Sequence, residues 1–333
     1  MKRREKVLVL MGGDSTEREV SLSSGRRVAE GLRAAGYEVV ALDVIFSPAV
    51  ARQRAVDASA SCAVGLDDFI QRLNAHQPDV VFIVLHGAPG EDGRVQAVLD
   101  LMGIPYTGSG VLASALALDK VMTKRVVEAA GVPVAPDLVL NRWDEPERFV
   151  QVIGRKLGYP VIIKPNTQGS TIGVQRVNDA GQLMPSLQEA FRYDDCLLVE
   201  PLMSGVELTV PVVGNRQAIA LPMIEIVPAG GFYDYEAKYT PGATDEIIPA
   251  RVPEWVHEAC ARHALAVHHA LGCRGMSRSD FIFDRERIVF LEVNTIPGMT
   301  PTSLLPRSAE AYGWSFERLV HYIVRLALGE EAA

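Results

Sequence analysis

Cysteine and long apolar stretches are scarce in this chain of 333 residues, and its 33 Lys and Arg are outnumbered by 41 Asp and Glu. The four cysteines are scattered and form no CxxC pair, so neither a disulfide framework nor a cysteine-ligated zinc site is indicated. The apolar run at residues 7–11 is too short for a signal sequence, and no stretch approaches the length of a membrane-spanning helix. The net charge of −8 comes without a basic stripe, which argues against nucleic-acid binding. We therefore expect a cytoplasmic protein with no membrane or nucleic-acid partner.

Two common nucleotide-binding motifs are also missing. The chain contains no GxxxxGK[ST], which excludes a P-loop NTPase, and no GxGxxG, which makes a nicotinamide dehydrogenase a poor candidate. What is present is an ordinary globular balance, with 48% hydrophobic and 22% charged residues. A chain of this length and balance predicts two or three packed units.

The first third of the chain alternates strand-like and helix-like segments. Apolar runs at residues 7–11, 39–44 and 80–85 predict strands, and residues 24–35 and 66–74 predict helices between them. Uniformly apolar strands are typical of a parallel sheet that is covered on both faces. We therefore predict an α/β domain over residues 1–109.

The rest of the chain predicts two units of α+β character, residues 110–202 and 203–333. The first unit contains one long helix at 111–130, strands at 161–163 and 197–200, and a loop of small residues at 166–173. The second contains strands at 208–213, 218–226, 281–283 and 288–293, a long surface loop at 227–249 and a final amphipathic helix. His263, His268 and His269 fall in a helical stretch without metal-ligand spacing, and we interpret them as groove or surface residues.

The most informative polar residues lie on two neighbouring predicted strands near the end of the chain. A charged turn at residues 284–287 predicts a hairpin that brings Asp280 close to Glu292. Because strand side chains alternate, Arg278 shares a face with Asp280, and Asn294 shares a face with Glu292. Two carboxylates and an amide oxygen suit Mg²⁺, and the apolar neighbours indicate buried carboxylates that need a compensating charge. We therefore favour a metal site over a plain polar strand face.

Three further candidate residues follow predicted strands. Lys164 precedes the small-residue loop, where backbone N–H groups can approach phosphate oxygens, although a plain turn would have a similar sequence. Glu17 follows the first strand, at the edge where open α/β sheets bind ligands, but an acid that merely starts a helix would occupy the same position. His86 lies in a glycine-rich loop after the third strand, where a catalytic and a structural role are equally supported.

A series of short motifs, taken in order along the chain, resembles the D-alanine–D-alanine ligase family within the ATP-grasp superfamily. The motifs are GG at 12–13, EREVS at 17–21, HG at 86–87, GEDG at 90–93, PYTGSG at 105–110, DK at 119–120, KP at 164–165, GS at 169–170, FYDYEAKY at 232–239, RxD at 278–280, ExNT at 292–295 and PGMT at 297–300. Each motif alone is a weak signal. The ordered set is specific, because it spans nearly the whole chain.

The resemblance implies a fold, an activity and cofactors. The implied ATP-grasp fold, α/β and α+β in character, has an N-terminal parallel-sheet domain followed by central and C-terminal domains that clamp the nucleotide. The implied activity is the ATP-dependent ligation of two D-alanine molecules, through a D-alanyl phosphate, to give D-alanyl-D-alanine for peptidoglycan precursors, and hence for cell-wall biogenesis and cell shape. The implied cofactors are ATP and two Mg²⁺ ions, with Mn²⁺ as a substitute, and the implied assembly is a homodimer.

The resemblance also assigns roles to individual residues. The metal ions would be bound by Asp280, Glu292 and Asn294, the nucleotide by Lys120, Lys164, Glu200, Glu207 and Lys238, and the two substrates by Glu17, His86, Gly298, Ser303 and Leu304. Glu17, Ser170 and Tyr239 would form a hydrogen-bonded set, and the loop at 227–249 would close over the γ-phosphate as a lid that carries Lys238 and Tyr239. Arg278 would stabilise the tetrahedral oxyanion of the second step.

Departures from the family pattern leave two alternatives. Pro201 stands where a basic residue is usual and lacks an N–H, which affects the expected adenine contacts. Tyr239 favours an amine over D-lactate as the second substrate. One alternative is another ATP-grasp carboxylate–amine ligase with a different second substrate. The other is a nucleotide-binding module without turnover, which is disfavoured because Arg278, Tyr239 and Ser303 are all present.

Overall fold

The N-terminal part of the chain forms a parallel sheet with helices, as its apolar runs predict. In a computed structural model, which describes residues 4–54, 62–230 and 242–330 and only the backbone at 146–148, this part contains strands β1 (Lys6–Gly12), β2 (Glu38–Ile45), β3 (Cys62–Val64) and β4 (Val80–Ile83), and helices α1 (Arg18–Ala34), α2 (Pro48–Gln53), α3 (Leu66–His76) and α4 (Arg94–Leu101). The strands run parallel in the order β3-β2-β1-β4. The α/β character predicted for this part is confirmed.

The central part contains two helices followed by a small antiparallel sheet. Helices α5 (Val111–Leu118) and α6 (Lys120–Ala129) precede strands β5 (Leu138–Asn141), β6 (Val161–Pro165), β7 (Gln175–Val177) and β8 (Cys196–Pro201), with helices α7 (Pro146–Lys156) and α8 (Ala180–Ala190) between them. The strand order is β5-β8-β6-β7. The single helix predicted at 111–130 is wrong, because Asp119 adopts an extended conformation and its carboxylate accepts a hydrogen bond of 2.8 Å from the Met122 N–H, which starts a new helix.

The C-terminal part is a larger antiparallel sheet. It contains strands β9 (Val206–Gly214), β10 (Ile219–Ala220), β11 (Ile224–Pro228), β12 (Thr244–Ile247), β13 (Gly275–Phe283) and β14 (Ile288–Asn294), and helices α9 (Glu254–Ala270), α10 (Leu304–Ala311) and α11 (Phe316–Ala327). The order is β12-β11-β9-β13-β14, and β10 pairs with β9. The single strand predicted at 218–226 is wrong, because it divides around Pro222, which lacks an N–H for a sheet ladder. The predicted loop at 227–249 contains β12, and its residues 231–241 lie outside the described residues.

The two ends of the chain share one hydrophobic core. Strand β1 lies at its centre, where Leu8 and its neighbours have no exposed surface, and α11 packs on the same core through Leu319 and Ile323. The helix begins at Ser315, whose hydroxyl accepts a hydrogen bond of 3.2 Å from the Arg318 N–H. No helix within the described residues is long and apolar enough to cross a membrane.

Two leucine substitutions should test the importance of this core. Leu8→Ala removes a fully buried side chain and should lower the free energy of unfolding by about 2–5 kcal/mol. Leu101→Ala makes the same chemical change where the side chain is 90% exposed, and should change it by less than about 0.5 kcal/mol. Urea denaturation followed by circular dichroism measures both. Equal effects would contradict the position assigned to β1.

One of the helical histidines is not a surface residue. His269 is exposed and His263 is partly buried, but His268 on the same helix has no exposed surface, so its interpretation as a groove or surface residue is wrong. Its Nδ1 lies 2.7 Å from the Ser277 hydroxyl of β13. Burial, reinforced by the neighbouring His269, lowers the pKa of His268 to about 4, so this side chain is a neutral part of the core.

Candidate functional site

A cavity of about 590 Å³ is lined by residues from all three parts of the chain. Most of the predicted site residues line it, namely Glu17, His86, Lys120, Ser170, Arg278, Glu292, Asn294, Gly298, Ser303 and Leu304. Lys164, Glu200, Glu207 and Asp280 are not part of this lining, and Lys238 and Tyr239 lie outside the described residues. A cavity of this size with converging polar groups suits small-molecule ligands.

The turn after β1 places Glu17 at the cavity. Glu17 immediately precedes α1, the position expected of an acid that merely starts a helix. Its side chain makes no capping hydrogen bond with that helix. Arg18 is buried and donates hydrogen bonds of 2.8 and 2.5 Å to the two carboxylate oxygens of Asp43 on β2. Gly12 has a φ of 93°, and a Cβ at that position would collide with the Asp43 carboxylate. The buried ion pair and the glycine therefore fix the turn that carries Glu17.

The small-residue loop of the central part approaches Glu17 from the other side. A Cβ on Gly169 would lie 3.8 Å from Glu17 Oε2, which shows how closely the loop backbone passes the carboxylate. Ser170 has a left-handed φ of 49°, a backbone state that is uncommon outside glycine and often occurs at functional sites. The loop is tied to α6 because the Lys120 ammonium donates to the Gln168 carbonyl. Glu17 and the loop thus form one wall of the cavity.

Two titratable groups with displaced pKa values lie beside Glu17. His86 is almost fully buried, and burial lowers its pKa against the opposing effect of Glu17. Glu91 accepts a hydrogen bond of 2.6 Å from the Gly87 N–H, and burial, reinforced by the charge of Glu17, raises its pKa to about 8. At neutral pH His86 is therefore uncharged and Glu91 is protonated. Neither group competes with Glu17 for a cationic ligand.

The raised pKa of Glu91 predicts a stability that falls with rising pH. Its folded-state pKa of about 8 lies above the ordinary value of 4.5, so its stabilising contribution is complete below pH 4.5 and is lost as the pH rises through 8. Glu91→Gln should therefore raise the melting temperature relative to the parent more at about pH 9 than at about pH 5. Scanning calorimetry at both pH values checks this, with the exposed Glu30→Gln as a control. A parent–variant difference that is independent of pH would contradict the assignment.

The predicted hairpin is present and places Asp280 directly opposite Glu292. Arg278 donates two hydrogen bonds to the Asp280 carboxylate, of 3.0 and 2.9 Å, and the Thr209 hydroxyl donates a third of 2.5 Å. The compensating charge expected for a buried carboxylate is thus supplied by an arginine of the same strand. The described residues contain no group of three or more His, Cys, Asp or Glu side chains that could hold a metal. The hairpin itself offers two carboxylates and the amide oxygen of Asn294.

Lys164 and Glu200 form an ion pair on neighbouring strands β6 and β8. Lys164 Nζ lies 2.8 Å from Glu200 Oε2, and the other carboxylate oxygen is bound by Lys124 of α6. Burial opposes the charge on Lys164, but Glu200, with smaller contributions from Glu292 and Glu207, outweighs burial and raises its pKa. Burial likewise opposes the charge on Glu200, and the two lysines outweigh it and lower its pKa. Lys164 and Glu200 are therefore both charged at neutral pH.

The start of α10 also lines the cavity. The Ser303 hydroxyl accepts a hydrogen bond of 2.9 Å from the Thr300 N–H. A Cβ on Gly298 would lie only 2.6 Å from Ser303 Oγ, so the glycine leaves room for this hydroxyl. Arg307, one helical turn further, also lines the cavity and forms an ion pair with Glu246 of β12. Strand β12 is thereby held beside the segment that carries Ser303.

Three residues in or behind the cavity were not predicted. Glu91 belongs to the GEDG motif, but its sequence context gives no sign of a raised pKa. Lys124 lies one helical turn after Lys120, a spacing that places both on one side of a helix and that would have indicated it. Arg307 carries no recognisable sequence signal, because its ion pair with Glu246 joins residues far apart in the chain.

Comparison with known protein families gives two consecutive matches. The family model described as "D-ala D-ala ligase N-terminus" matches residues 6–109, and the one described as "D-ala D-ala ligase C-terminus" matches residues 126–325. The D-alanine–D-alanine ligase of Moorella thermoacetica is 46% identical over 331 residues, which cover 97% of this chain and 99% of that protein. The D-alanine–D-alanine ligase of Pelotomaculum thermopropionicum is 44% identical over 328 residues, with coverages of 97% and 96%.

Solved structures with the same fold bear related names. The VanG D-Ala:D-Ser ligase from Enterococcus faecalis superimposes with a TM-score of 0.81 at 30% identity, covering 98% of this chain and 100% of that one. The D-alanine–D-alanine ligase from Bacillus anthracis, complexed with ATP, superimposes with a TM-score of 0.80 at 30% identity, covering 98% of each chain.

Proposed function

We propose that this chain, which belongs to the D-alanine–D-alanine ligase family, uses ATP to join two molecules of D-alanine into D-alanyl-D-alanine. The observation that carries the proposal is the single cavity in which Glu17, Arg278, Glu292 and Ser303 meet. These groups suit, in turn, an ammonium, a developing oxyanion, a metal-bound phosphate and a carboxylate. The ATP-grasp fold and the ligase function expected from the sequence motifs agree with this family.

Glu17 is the proposed partner of the ammonium group of the first D-alanine. The neutral state of His86 and the protonated state of Glu91 support this role, because neither side chain places a positive or a second negative charge beside Glu17. Ser170 and Tyr239 complete the proposed hydrogen-bonded set around Glu17. The close passage of Gly169 beside Glu17 supports the part of this set that joins the N-terminal and central parts.

Lys120 and Lys164 are the proposed partners of the nucleotide phosphates, together with Lys238 from the lid. The positions of the first two lysines support these roles. Lys120 lines the cavity, and Lys164 is a charged lysine on β6, the strand that precedes the small-residue loop. Adenine and ribose are assigned to the neighbourhood of Glu200 and Glu207. Two lysines bind the Glu200 carboxylate and hold it in one orientation, and any contact with adenine would be made in that orientation.

Two Mg²⁺ ions, with Mn²⁺ as a substitute, fit the donor chemistry of the hairpin. Asp280, Glu292 and Asn294 present hard oxygen ligands on adjacent strands, and the remaining positions suit phosphate oxygens and water. Arg278 already pairs with the Asp280 carboxylate, so an ion bound there would share this carboxylate with the guanidinium. When bound, the ions neutralise charge that develops on the transferred phosphoryl group.

The proposed reaction has two steps in one cavity. A carboxylate oxygen of the first D-alanine attacks the γ-phosphorus of ATP, ADP leaves, and a D-alanyl phosphate forms. The amine of the second D-alanine, held by its carboxylate near Ser303 and Leu304, attacks the acyl carbon. Arg278 stabilises the resulting oxyanion, and phosphate leaves as the peptide bond forms. Closure of the 227–249 lid, which carries Lys238 and Tyr239, excludes water from the acyl phosphate.

The proposal extends to organisation and location. We assign three domains, residues 1–109, 110–202 and 203–333, and the three separate sheets support this division. A homodimer in the cytoplasm, with ATP and D-alanine as its small-molecule partners, completes the assignment.

A second candidate differs only in the second substrate. The likeness to a D-Ala:D-Ser ligase is as strong as the likeness to a D-alanine–D-alanine ligase, so backbone similarity does not discriminate between D-alanine and D-serine. The curated relatives favour D-alanine.

Phosphate release from Mg-ATP tests the proposed function. The assay is run with D-alanine alone, with L-alanine, and with D-alanine plus D-serine or D-lactate, and mass spectrometry identifies the product. We expect release that depends on D-alanine and a D-alanyl-D-alanine product. Release only in the D-serine mixture would favour the second candidate. ATP binding without release under any condition would indicate the module without turnover.

A further inference from the structure

A buried lysine outside the cavity holds the ion pair of Lys164 and Glu200 from behind. Lys124 is 1% exposed, and its three N–H groups have three partners: Glu200 Oε1, the Ala135 carbonyl at 2.9 Å and Asp137 Oδ1 at 3.2 Å. Glu200 is 2% exposed and therefore receives little help from solvent. A buried charge of this kind needs its own reason to be present, because apolar side chains would fill the same space at lower cost.

The single negative charge of Glu200 is shared between the ammonium groups of two lysines. Lys124 binds one oxygen of Glu200 and Lys164 binds the other. Without Lys124, both oxygens of Glu200 would be available to Lys164, whose remaining carboxylate neighbours are Glu292 and Glu207. Lys164 would then be neutralised more completely and drawn toward Glu200. Its attraction for phosphate would fall.

We infer that Lys124 is a positioning residue for the nucleotide, which holds the Glu200 carboxylate so that Lys164 keeps its position and its attraction for phosphate. The inference rests on the proposed role of Lys164 in phosphate binding. Lys124 itself touches no substrate in this account. Its effect should therefore be larger on the binding of phosphate groups than on the binding of the nucleoside, which it can reach only through the orientation of Glu200.

Nucleotide affinities of the full-length chain test the inference. ADP and adenosine are the two probes, and equilibrium dialysis gives the dissociation constant of each. Lys124→Met should raise the constant for ADP by at least about tenfold and that for adenosine by less than about threefold. Arg125→Met is the matched control, because this half-exposed neighbour binds Asp137 at 3.0 and 2.6 Å but makes no ion pair with Glu200. It should leave the ratio of the two constants unchanged.

A double substitution separates the charge effect from a loss of structure. With Glu200→Gln in place, Lys124 keeps Asp137 as a partner but has no Glu200 carboxylate to hold, so Lys124→Met should no longer alter the ratio of the ADP and adenosine constants. This comparison decides the matter even where Lys124→Met alone does not fold, as circular dichroism would show.

Three results would overturn the inference. The first is an equal loss of ADP and adenosine binding in Lys124→Met, and the second is an unchanged ADP affinity in that variant. The third is a further change in the ratio of the ADP and adenosine dissociation constants when Lys124→Met is added to Glu200→Gln. A parent chain that does not bind ADP would overturn the proposed function together with this inference. A parent that binds ADP and forms the dipeptide, combined with any of the three results, would overturn this inference alone.

Discussion

Arg278→Ala should lower kcat by about 10²- to 10³-fold and change the KM for ATP by less than about threefold. The reason is that the guanidinium lines the cavity and is the proposed donor to the oxyanion of the second step, where charge develops that is absent from the bound substrates. Tyr239→Phe, which removes only a positioning hydroxyl, should cost far less. Steady-state kinetics with D-alanine and Mg-ATP measure all three quantities.

Two controls protect this prediction. Arg251→Ala removes another arginine that binds a carboxylate through two side-chain hydrogen bonds, to Glu225 at 3.0 and 2.7 Å, but Arg251 does not line the cavity, and kcat should be unchanged. Because Arg278 also neutralises Asp280, binding of Mn²⁺-ADP to Arg278→Ala should be measured by electron paramagnetic resonance. Retained metal binding with lost turnover is expected. A kcat comparable with that of the parent would reject the role of Arg278.

Glu17→Gln should raise the KM for the first D-alanine by about 100-fold, since truncating a charged pair in a buried site typically costs 2–5 kcal/mol. Glu17 is 8% exposed, so water screens its attraction for an ammonium only weakly. The substitution keeps the size and one acceptor oxygen of the side chain, removes its charge and replaces the second oxygen by an NH₂ group. ATP affinity should be unchanged, because the proposed phosphate-binding lysines are untouched.

Glu30→Gln is the control for Glu17, because it makes the same change on the exposed face of the same helix. Its KM values should equal those of the parent. An unaltered KM for D-alanine in Glu17→Gln would remove the proposed ammonium site. A loss of ATP binding in that variant would indicate instead that the turn before α1 had been disrupted.

Local patterns were sufficient to predict the N-terminal sheet and the hairpin that carries the proposed metal ligands. The apolar run in β1 is uniform because both faces of the strand are buried, and that pattern is visible in sequence. The pairing of Asp280 with Glu292 follows from a short charged turn and the alternation of strand side chains. Both predictions needed only residues close together in the sequence and the alternation of side chains along a strand.

Features that depend on distant contacts or on single caps could not be predicted. The break at Asp119 arises because one carboxylate caps a second helix within a continuous apolar pattern. The burial of His268 depends on Ser277 and on the sheet packed over it. The binding of Glu200 by Lys124 joins residues 76 positions apart, and no local pattern contains it. The roles of Lys238 and Tyr239 stay predictions, because these residues lie outside the described part of the chain.

The transfer of oxygen from D-alanine to phosphate tests the central claim most directly. D-Alanine labelled with ¹⁸O in its carboxylate is incubated with the enzyme and Mg-ATP, and the phosphate is examined by mass spectrometry. If the carboxylate attacks the γ-phosphorus, each dipeptide formed should be accompanied by one phosphate that carries one ¹⁸O atom, while the second labelled oxygen stays in the new peptide carbonyl. Unlabelled phosphate formed together with D-alanyl-D-alanine would contradict activation through an acyl phosphate.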